Sequence, residues 1–427
     1  MKRLLLAAMA AVLLVPALII GADHLREPGS GQQSVPVANA GEQAARGAYL
    51  ARAGNCMSCH TARGGEAYAG GRPIATPFGN IYTSNLTPDA ETGLGKWSQD
   101  DFWRAIHNGK SRDGSFLYPA FPYPNYTRVT RADADAMYAY FRTLAPVRQP
   151  NREHELRFPY NQRMLLPLWR ALYFNPGEYQ PEASKSAQWN RGAYLVQGLG
   201  HCSACHTSRN ALGGSIAEHA LGGGMIPMQN WYASALTSDA GAGLGEWDVA
   251  DISALLKTGA SQRGAVFGPM AEVVGASLQH LSGADIASMA VYLKSVPGSQ
   301  ARAAARPAQA AGDAEAILRQ GAVLYEKQCA SCHGADGRGA PAAYPPLAGN
   351  RSLALPAATN AIRMVLNGGY PPSTEGNPRP YGMPPFGPVL SDHEVAAVVS
   401  YIRTSWGNQG APVSSVDVAR LRGAPMD

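Results

Sequence analysis

The sequence predicts a mainly α-helical protein built from three tandem domains, and three observations lead to that prediction. A Cys-x-x-Cys-His pentapeptide occurs three times, at 56–60, 202–206 and 329–333, and accounts for all six cysteines. Each pentapeptide follows a stretch with the apolar spacing of a helix, and a second helical stretch closes the repeat. Strand patterns are scarce. A length of 427 residues suits about two to four domains.

The helices that bracket each pentapeptide carry end signals. A hydroxyl residue stands at the predicted N-cap of each closing helix, and an acidic residue follows within the first turn. Behind the cap, apolar and aromatic side chains recur at helical spacing. An opening helix packed against a closing helix is therefore the predicted unit. The opening helices include 46–50, 191–195 and 321–325, and the closing helices begin at Thr130, Ser282 and Ser391.

The first two repeats are more similar to each other than to the third. Leu-Thr-Pro-Asp at 86–89 matches Leu-Thr-Ser-Asp at 236–239. Gly-Leu-Gly-Lys-Trp at 93–97 matches Gly-Leu-Gly-Glu-Trp at 243–247, and we expect both tryptophans in the core. The third repeat lacks this block, so the sequence indicates an internal duplication followed by a more divergent unit.

The pentapeptide is the attachment signature of a c-type haem. The two thiols add to the porphyrin vinyl groups, and the adjacent histidine becomes the proximal iron ligand. A zinc site would need the cysteine pairs close together, a disulfide framework is typical of short secreted chains, and a redox Cys-x-x-Cys would need a βαβ pattern. The sequence therefore predicts three covalently bound haem c groups. They use Cys56, Cys59, Cys202, Cys205, Cys329 and Cys332 for attachment and His60, His206 and His333 as proximal ligands.

A haem that only passes electrons usually has a methionine sulfur opposite the histidine. We expect this methionine on a Pro- and Gly-rich loop before the closing helix, which is 267–270 in the second repeat and 381–385 in the third. We therefore predict Met270 and Met383 as distal ligands, against the alternative that they are core methionines. His201, directly before the second pentapeptide, is expected beside the haem edge rather than on the iron.

The first repeat differs at this position. Aligning Gly114 with Gly264 brings the loop 118–122 onto the Met270 loop, with Phe121 one position from Met270, and phenylalanine cannot ligate iron. Either another side chain supplies the ligand, or the iron is five-coordinate, or the alignment is shifted. Met57 is excluded because it lies between the two cysteines on the proximal side. The candidates for a replacement ligand are Met164, Met137, His107 and His154, of which Met137 has the spacing of a core residue.

Composition places the boundaries between the predicted domains. Residues 298–312 are rich in Ala, Arg, Pro and Gln without an apolar period, which predicts a tether. Residues 165–174 are densely apolar and aromatic, and form either a crossover packed on the first two domains or a docking surface for a partner subunit or the membrane. The predicted segments are 1–40 (export signal or membrane anchor with linker), 41–146 (domain 1), 147–187 (crossover or docking segment), 188–297 (domain 2), 298–312 (tether), 313–408 (domain 3) and 409–427 (tail).

The amino terminus predicts export. Lys2 and Arg3 precede an apolar run over 4–20, which is typical of a signal peptide or a short membrane anchor. A candidate cleavage site at 38–40 lies further from this run than is usual, so we favour a retained anchor. Export suits a c-type haem, which bacteria attach outside the cytoplasm. The net charge of +5 comes without any Lys/Arg block, so no nucleic-acid partner is expected.

The chain resembles the tri-haem cytochrome c subunits of bacterial membrane-bound dehydrogenases. The resemblance is carried by the three pentapeptides behind an export signal, the duplicated LTPD…GLG.W block, FGPMAEVV in the second repeat and MPPFGPVLSDHEVAAVVSYIRTSWGN in the third. It implies three tandem cytochrome c-like domains, each with one haem c, on the periplasmic side of the inner membrane. That family serves quinoprotein alcohol dehydrogenases and flavin-dependent gluconate, sorbitol or fructose dehydrogenases, and related subunits accompany molybdenum-containing dehydrogenases. The loop LYPAFPY departs from the LYPAMPY form of the alcohol dehydrogenase subunits, which favours the molybdenum branch.

These features predict electron transfer rather than catalysis by the chain itself. The sequence has no GxGxxG nucleotide fingerprint and no quinoprotein repeat. The expected role is to pass electrons from a periplasmic dehydrogenase subunit of quinoprotein, flavin or molybdenum type to ubiquinone or a terminal oxidase at the membrane. The alternative is that the first haem is an open site with peroxidase-like or ligand-sensing activity.

Overall fold

The structure is a computed structural model in which the chain forms two compact units. No helix among the described residues is long and apolar enough to cross a membrane. The apolar run 4–20 and the tether up to residue 310 lie outside the described residues, so the predictions made for them remain predictions. The described residues are 21, 39–298, 311–341 and 343–424. The first unit comprises residues up to 185 with 194–204 and 209–215, and the second comprises 186–193, 205–208 and the chain from 216 onward.

The first unit is mainly helical and carries one small sheet. Strands β1 and β2 form an antiparallel hairpin that pairs Pro73 with Tyr82, and β3 extends it by pairing Leu156 with Gly79. The sequence did not predict this sheet because its strands are too short to show an alternating pattern. Its strands are β1 (Pro73–Thr76), β2 (Gly79–Tyr82) and β3 (Glu155–Leu156), and its helices are α1 (Ala40–Ala53), α2 (Cys56–Cys59), α3 (Gln99–Asn108), α4 (Tyr123–Tyr126), α5 (Arg131–Phe141) and α6 (Leu166–Tyr173).

The second unit contains two short hairpins and most of the remaining helices. Helices α7 (Ala187–Gln197) and α8 (Ser203–His206) belong partly to each unit. Helix α12 (Ala311–Gln328) includes the last two residues of the predicted tether, and the tether's other bounds remain a prediction. The other elements are β4 (Gly224–Ile226), β5 (Trp231–Ala233), α9 (Val249–Thr258), β6 (Ala260–Ser261), β7 (Gly264–Ala265), α10 (Pro269–Ala276), α11 (Gly283–Ser295), α12 (Ala311–Gln328), α13 (Ala330–His333), α14 (Thr359–Asn367), α15 (Asp392–Thr404) and α16 (Ser415–Arg422).

The closing helices α5, α11 and α15 begin where the sequence predicted. In each, the hydroxyl of the N-cap residue accepts a hydrogen bond from a backbone N–H in the first turn. An acidic residue occupies that same position, where its charge is stabilised by the helix dipole. The cap and first-turn pairs are Thr130 with Asp133, Ser282 with Asp285, and Ser391 with Glu394.

A glycine in each opening helix allows the opening and closing helices of a repeat to touch through their backbones. A Cβ atom on this glycine would overlap a carbonyl oxygen of the closing helix, and only glycine lacks that atom. The same crossing therefore recurs in all three repeats and explains why each opening motif contains glycine. The pairs are Gly47 with Ala136, Gly192 with Ser288 and Gly321 with Ala397, with distances from the ideal Cβ position to the oxygen of 1.8, 1.9 and 2.2 Å.

The segment that follows the first repeat buries one face and exposes the other. Arg170 on α6 is almost fully buried, and its guanidinium lies over the Phe174 ring at 4.6 Å and the Phe116 ring at 4.9 Å. Met164 and Leu172 are instead 76 % and 67 % exposed. The buried face supports a packed crossover, and the exposed apolar side chains keep the docking alternative open.

Candidate haem sites

The first pentapeptide lies on its own short helix because the chain turns sharply after α1. Helix α1 ends at Ala53 with Gly54 as its C-cap, and Asn55 adopts a left-handed φ of 51°, a conformation that Asn tolerates better than most residues. The Ser58 hydroxyl donates a 2.7 Å hydrogen bond to the Asn55 side chain and holds this turn. His201 precedes the second pentapeptide at the equivalent position and also has a positive φ, of 35°. The same local turn thus presents the first two pentapeptides.

No disulfide joins any of the six cysteines, all of which lie within the described part of the chain. Burial raises the pKa of the Cys56 thiol to about 12, and the neighbouring Cys59 adds to the rise. Burial likewise raises the pKa of Cys329 to about 11. A reactive redox cysteine instead has a lowered pKa. Among the described residues no group of three or more His, Cys, Asp or Glu side chains is arranged to hold a metal ion.

The three pentapeptide histidines share one hydrogen-bonding pattern. The Nδ1 atom of each lies within hydrogen-bond distance of a backbone carbonyl oxygen, which can only accept, so Nδ1 carries the proton. The lone pair is then on Nε2, and an imidazole fixed in this way is a typical metal ligand. The residues therefore fit a c-type haem, with two thiols and one oriented imidazole at each site. The distances are 2.7 Å from His60 to Ser84, 2.6 Å from His206 to Ser234 and 3.0 Å from His333 to Pro345.

Burial keeps these imidazoles neutral. It lowers the pKa of His206 to about 4, although the Ser234 carbonyl opposes the shift, and the Arg351 cation lowers it slightly further. Burial also lowers the pKa of His60 and of His333. A neutral imidazole is the form that binds a metal, so all three histidines are available as ligands at neutral pH.

The two predicted distal methionines occupy different local structures. Met270 is the second residue of α10 rather than part of a loop, because Pro269 starts that helix. Met383 lies in an extended segment and exchanges two backbone hydrogen bonds with Gly369, of 2.8 and 2.9 Å. Both side chains are half-buried. Their assignment as iron ligands remains a prediction.

Phe121 lies in an aromatic cluster beside the first pentapeptide. Its ring centroid is 5.3 Å from that of Tyr126 on α4. The buried Tyr126 hydroxyl donates a 2.9 Å hydrogen bond to the Gly54 carbonyl, just before Cys56. Tyr126 therefore connects the Phe121 loop, which stands where the other repeats have a methionine, to the chain just before Cys56.

Contacts within the first unit join the first and second attachment segments. The Tyr126 ring packs edge-on against the His201 ring at 5.5 Å, and the Gly54 carbonyl also bonds to His201. One residue earlier, the Asn125 amide donates a 2.7 Å hydrogen bond to the Ser203 hydroxyl, inside the second pentapeptide. Sequence analysis singled out His201 as a neighbour of the second haem. Nothing in the sequence indicated that it also contacts the first repeat.

Arg351 joins the second and third repeats within the second unit. Its Nη1 atom donates a 2.8 Å hydrogen bond to the Ala235 carbonyl, one residue after the carbonyl that holds His206. Its guanidinium lies 4.9 Å from the centre of the buried Trp247 ring. Trp247 is therefore a core aromatic as predicted, whereas Trp97 is half-buried. Sequence analysis missed Arg351 because no motif marks it.

The comparison with known proteins agrees with this architecture. The cytochrome c family model matches residues 44–145 and 318–406. The chain is 43 % identical to the gluconate 2-dehydrogenase cytochrome c subunit of Pantoea cypripedii, over 88 % of this chain and 89 % of that protein. It is 40 % identical to the cytochrome c subunit of the quinone alcohol dehydrogenase of Gluconacetobacter polyoxogenes, over 89 % and 85 %.

A shorter relative is similar to part of the chain. The diheme cytochrome c-type protein of Cereibacter sphaeroides is 36 % identical over 70 % of this chain and 99 % of its own length. The two regions that the family model matches contain the first and third pentapeptides and the helix crossings through Gly47 and Gly321. The chain therefore belongs to the cytochrome c family, in the group formed by the cytochrome c subunits of dehydrogenases.

Proposed function

We propose that this chain is a tri-haem electron-transfer subunit that passes electrons from a periplasmic dehydrogenase subunit to ubiquinone or a terminal oxidase. The observation that carries the proposal is the repeated histidine geometry. Three imidazoles, each next to two cysteines that form no disulfide, have Nδ1 at a carbonyl oxygen, which leaves the Nε2 lone pair for a metal. Haem c, when bound there, supplies an iron that is reversibly oxidised and reduced by one electron.

The number of haems is the part of this proposal that most needs measurement. The family model matches the first and third repeats, and a relative named as a diheme protein is similar to 70 % of the chain. The second repeat supports a third haem on its own residues, since it has the pentapeptide, the histidine–carbonyl bond and the helix crossing through Gly192. We propose domain boundaries at 41–146, 188–297 and 313–408 for the three haem domains.

Contacts between the attachment segments support transfer along the chain. Tyr126 and His201 bring the first and second segments together within the first unit. Arg351 places a cation from the third repeat beside the segment that holds His206 in the second unit. A cation near a haem favours the reduced iron, because reduction removes one positive charge. The first unit thus packs residues of the first and second attachment segments together, and the second unit sets a cation beside the segment that holds His206, where it would raise the haem potential.

The proposed partner is a dehydrogenase catalytic subunit of quinoprotein, flavin or molybdenum type. The relatives' names support this, since they are cytochrome c subunits of gluconate and quinone alcohol dehydrogenases. The change to phenylalanine in the LYPAFPY loop favours the molybdenum branch. We place the subunit on the periplasmic side of the inner membrane, as the predicted export signal and the need for haem attachment outside the cytoplasm suggest.

Co-purification followed by substrate reduction tests the function. The full chain, tagged at its C terminus, is isolated with its native partners, and each candidate substrate of the copurified enzyme is added under anaerobic conditions. We expect the haem α-band to appear within the turnover time of the partner. A variant with both Cys202 and Cys205 replaced by alanine cannot attach the second haem, so its reduced-haem absorbance per chain should fall by about one third if the other two haems are still reached by the donor, and by more if the second haem lies between them and the donor. A partner that turns over substrate without reducing any haem would refute the proposed function.

A further inference from the structure

We infer that the first haem site is open on its distal side and binds a neutral diatomic gas such as carbon monoxide or nitric oxide. The inference rests on the proposed function, because it requires a haem on Cys56, Cys59 and His60. It goes beyond that function, because electron transfer needs no ligand-binding site. In the second and third repeats the predicted distal ligands Met270 and Met383 would occupy the sixth position of the iron, so we infer no open site there.

The repeat alignment provides the first observation. The distance along the chain from Phe121 to the N-cap Thr130 is close to that from Met383 to the N-cap Ser391. Phe121 therefore holds the position of the predicted distal ligand, and its hydrocarbon ring has no lone pair to donate. Its ring contact with Tyr126, which bonds to Gly54, places the loop beside the first pentapeptide.

The two sulfur candidates of the first unit are placed elsewhere. Met137 lies in the middle of α5 and is 2 % exposed, so it belongs to the helix-packed core as its spacing predicted. Met164 is 76 % exposed in a short 3₁₀ turn at Arg163–Leu165. The neighbouring Arg163 donates a 2.6 Å hydrogen bond to the Phe116 carbonyl, which holds that turn at the surface.

The two nitrogen candidates are packed against aromatic rings. His107 is 2 % exposed and stacks on Trp103 at 4.3 Å, the Thr127 backbone bonds to its ring, and its buried Nδ1 has no hydrogen-bond partner among the described residues. His154 accepts a 3.2 Å hydrogen bond at Nδ1 from the Tyr82 backbone N–H, and its ring packs edge-on against Tyr118. Either histidine would have to leave a packed aromatic partner to reach iron.

The chemistry of the cluster around Phe121 indicates the class of ligand. Phe121, Tyr123 and Tyr126 are aromatic, and the Tyr126 hydroxyl is already committed to the Gly54 carbonyl. Cleavage of a peroxide needs a positioned acid–base group, and the imidazole that contacts this cluster through Tyr126, His201, is bonded to the Gly54 carbonyl. An apolar aromatic wall instead favours small uncharged ligands. We therefore assign gas binding to this site in place of the peroxidase-like alternative.

Carbon monoxide binding to the reduced full-length holoprotein tests the inference. We expect a difference spectrum that saturates at one carbon monoxide per three haems. Phe121→Met should supply the missing sulfur and remove this binding, whereas the control Phe121→Leu should retain it. Binding that persists undiminished in a folded Phe121→Met variant would place the open iron elsewhere and overturn the inference.

A second measurement decides the matter if Phe121→Met does not fold. Electron paramagnetic resonance of the oxidised wild-type protein should show one high-spin haem in three, and a purely low-spin spectrum would overturn the inference. The haem content of the same sample, measured by the pyridine haemochrome method, separates the two failures. Three low-spin haems would refute the open site and leave electron transfer standing, whereas fewer than three haems would refute the tri-haem proposal.

Discussion

Replacing Gly192 with alanine introduces one methyl group at the crossing of α7 and α11. The ideal Cβ position lies 1.9 Å from the Ser288 carbonyl oxygen and 2.9 Å from the Tyr292 Cβ atom. Ordinary contact between such atoms is about 3.5 Å, so the helices would have to separate by roughly 1.5 Å. Because the obstacle is backbone, the cost should be near the upper end of overpacking, about 3 kcal/mol. The better helix propensity of alanine offsets about 1 kcal/mol of this.

We therefore expect Gly192→Ala to lower the free energy of unfolding by about 2 kcal/mol. The assay is guanidinium unfolding of the holoprotein, followed by circular dichroism and by Soret absorbance. Gly283→Ala is the matched control, because a Cβ there meets no atom within 4 Å. It should leave stability unchanged or raise it by up to about 1 kcal/mol. A loss below about 0.5 kcal/mol in Gly192→Ala, the range of a neutral surface change, would refute the close backbone contact.

Three further substitutions test the remaining contacts. Tyr126→Phe removes the hydrogen bond to Gly54 and should cost about 1 kcal/mol in guanidinium unfolding, and an unchanged midpoint would show that the bond contributes nothing. Arg351→Gln removes a cation beside the second haem site and should lower one reduction potential in a spectroelectrochemical titration. The exposed control Arg319→Gln, whose partner is Glu315, should lower none. Equal effects of the two arginine variants would contradict the assigned contact. Ser391→Ala removes an N-cap and should cost about 1 kcal/mol, with Ser391→Asp retaining most of the stability, and equal losses in both would argue against capping.

Local features of the fold could be predicted from the sequence because local physics determines them. The N-caps at Thr130, Ser282 and Ser391 depend on a hydroxyl and the residues of one helical turn, and the structure confirms all three. The internal repeat also predicted that the opening helix of each repeat packs against the closing helix of the same repeat. The β1–β2 hairpin was missed, since strands of four residues show too little alternation to stand out.

Long-range contacts of the site could not be predicted in the same way. His201 was expected at a haem edge from its place in the sequence, yet its packing on Tyr126 depends on how the first and second repeats meet within the first unit. Arg351 is a single charged residue in an irregular stretch, and only folding brings it beside the His206 segment. Met270 was expected on a loop, but Pro269 is well suited to the first turn of a helix, and the structure begins α10 there.

Haem content measured motif by motif tests the central claim most directly. The full chain is produced in a host that attaches c-type haem, and intact mass and pyridine haemochrome absorbance give the number of haems per chain. We predict three for the wild-type protein, and two for each variant in which both cysteines of one pentapeptide are replaced by alanine. A wild-type protein with two haems, or a double-cysteine variant at 202 and 205 that loses none, would contradict the claim that each repeat holds a haem.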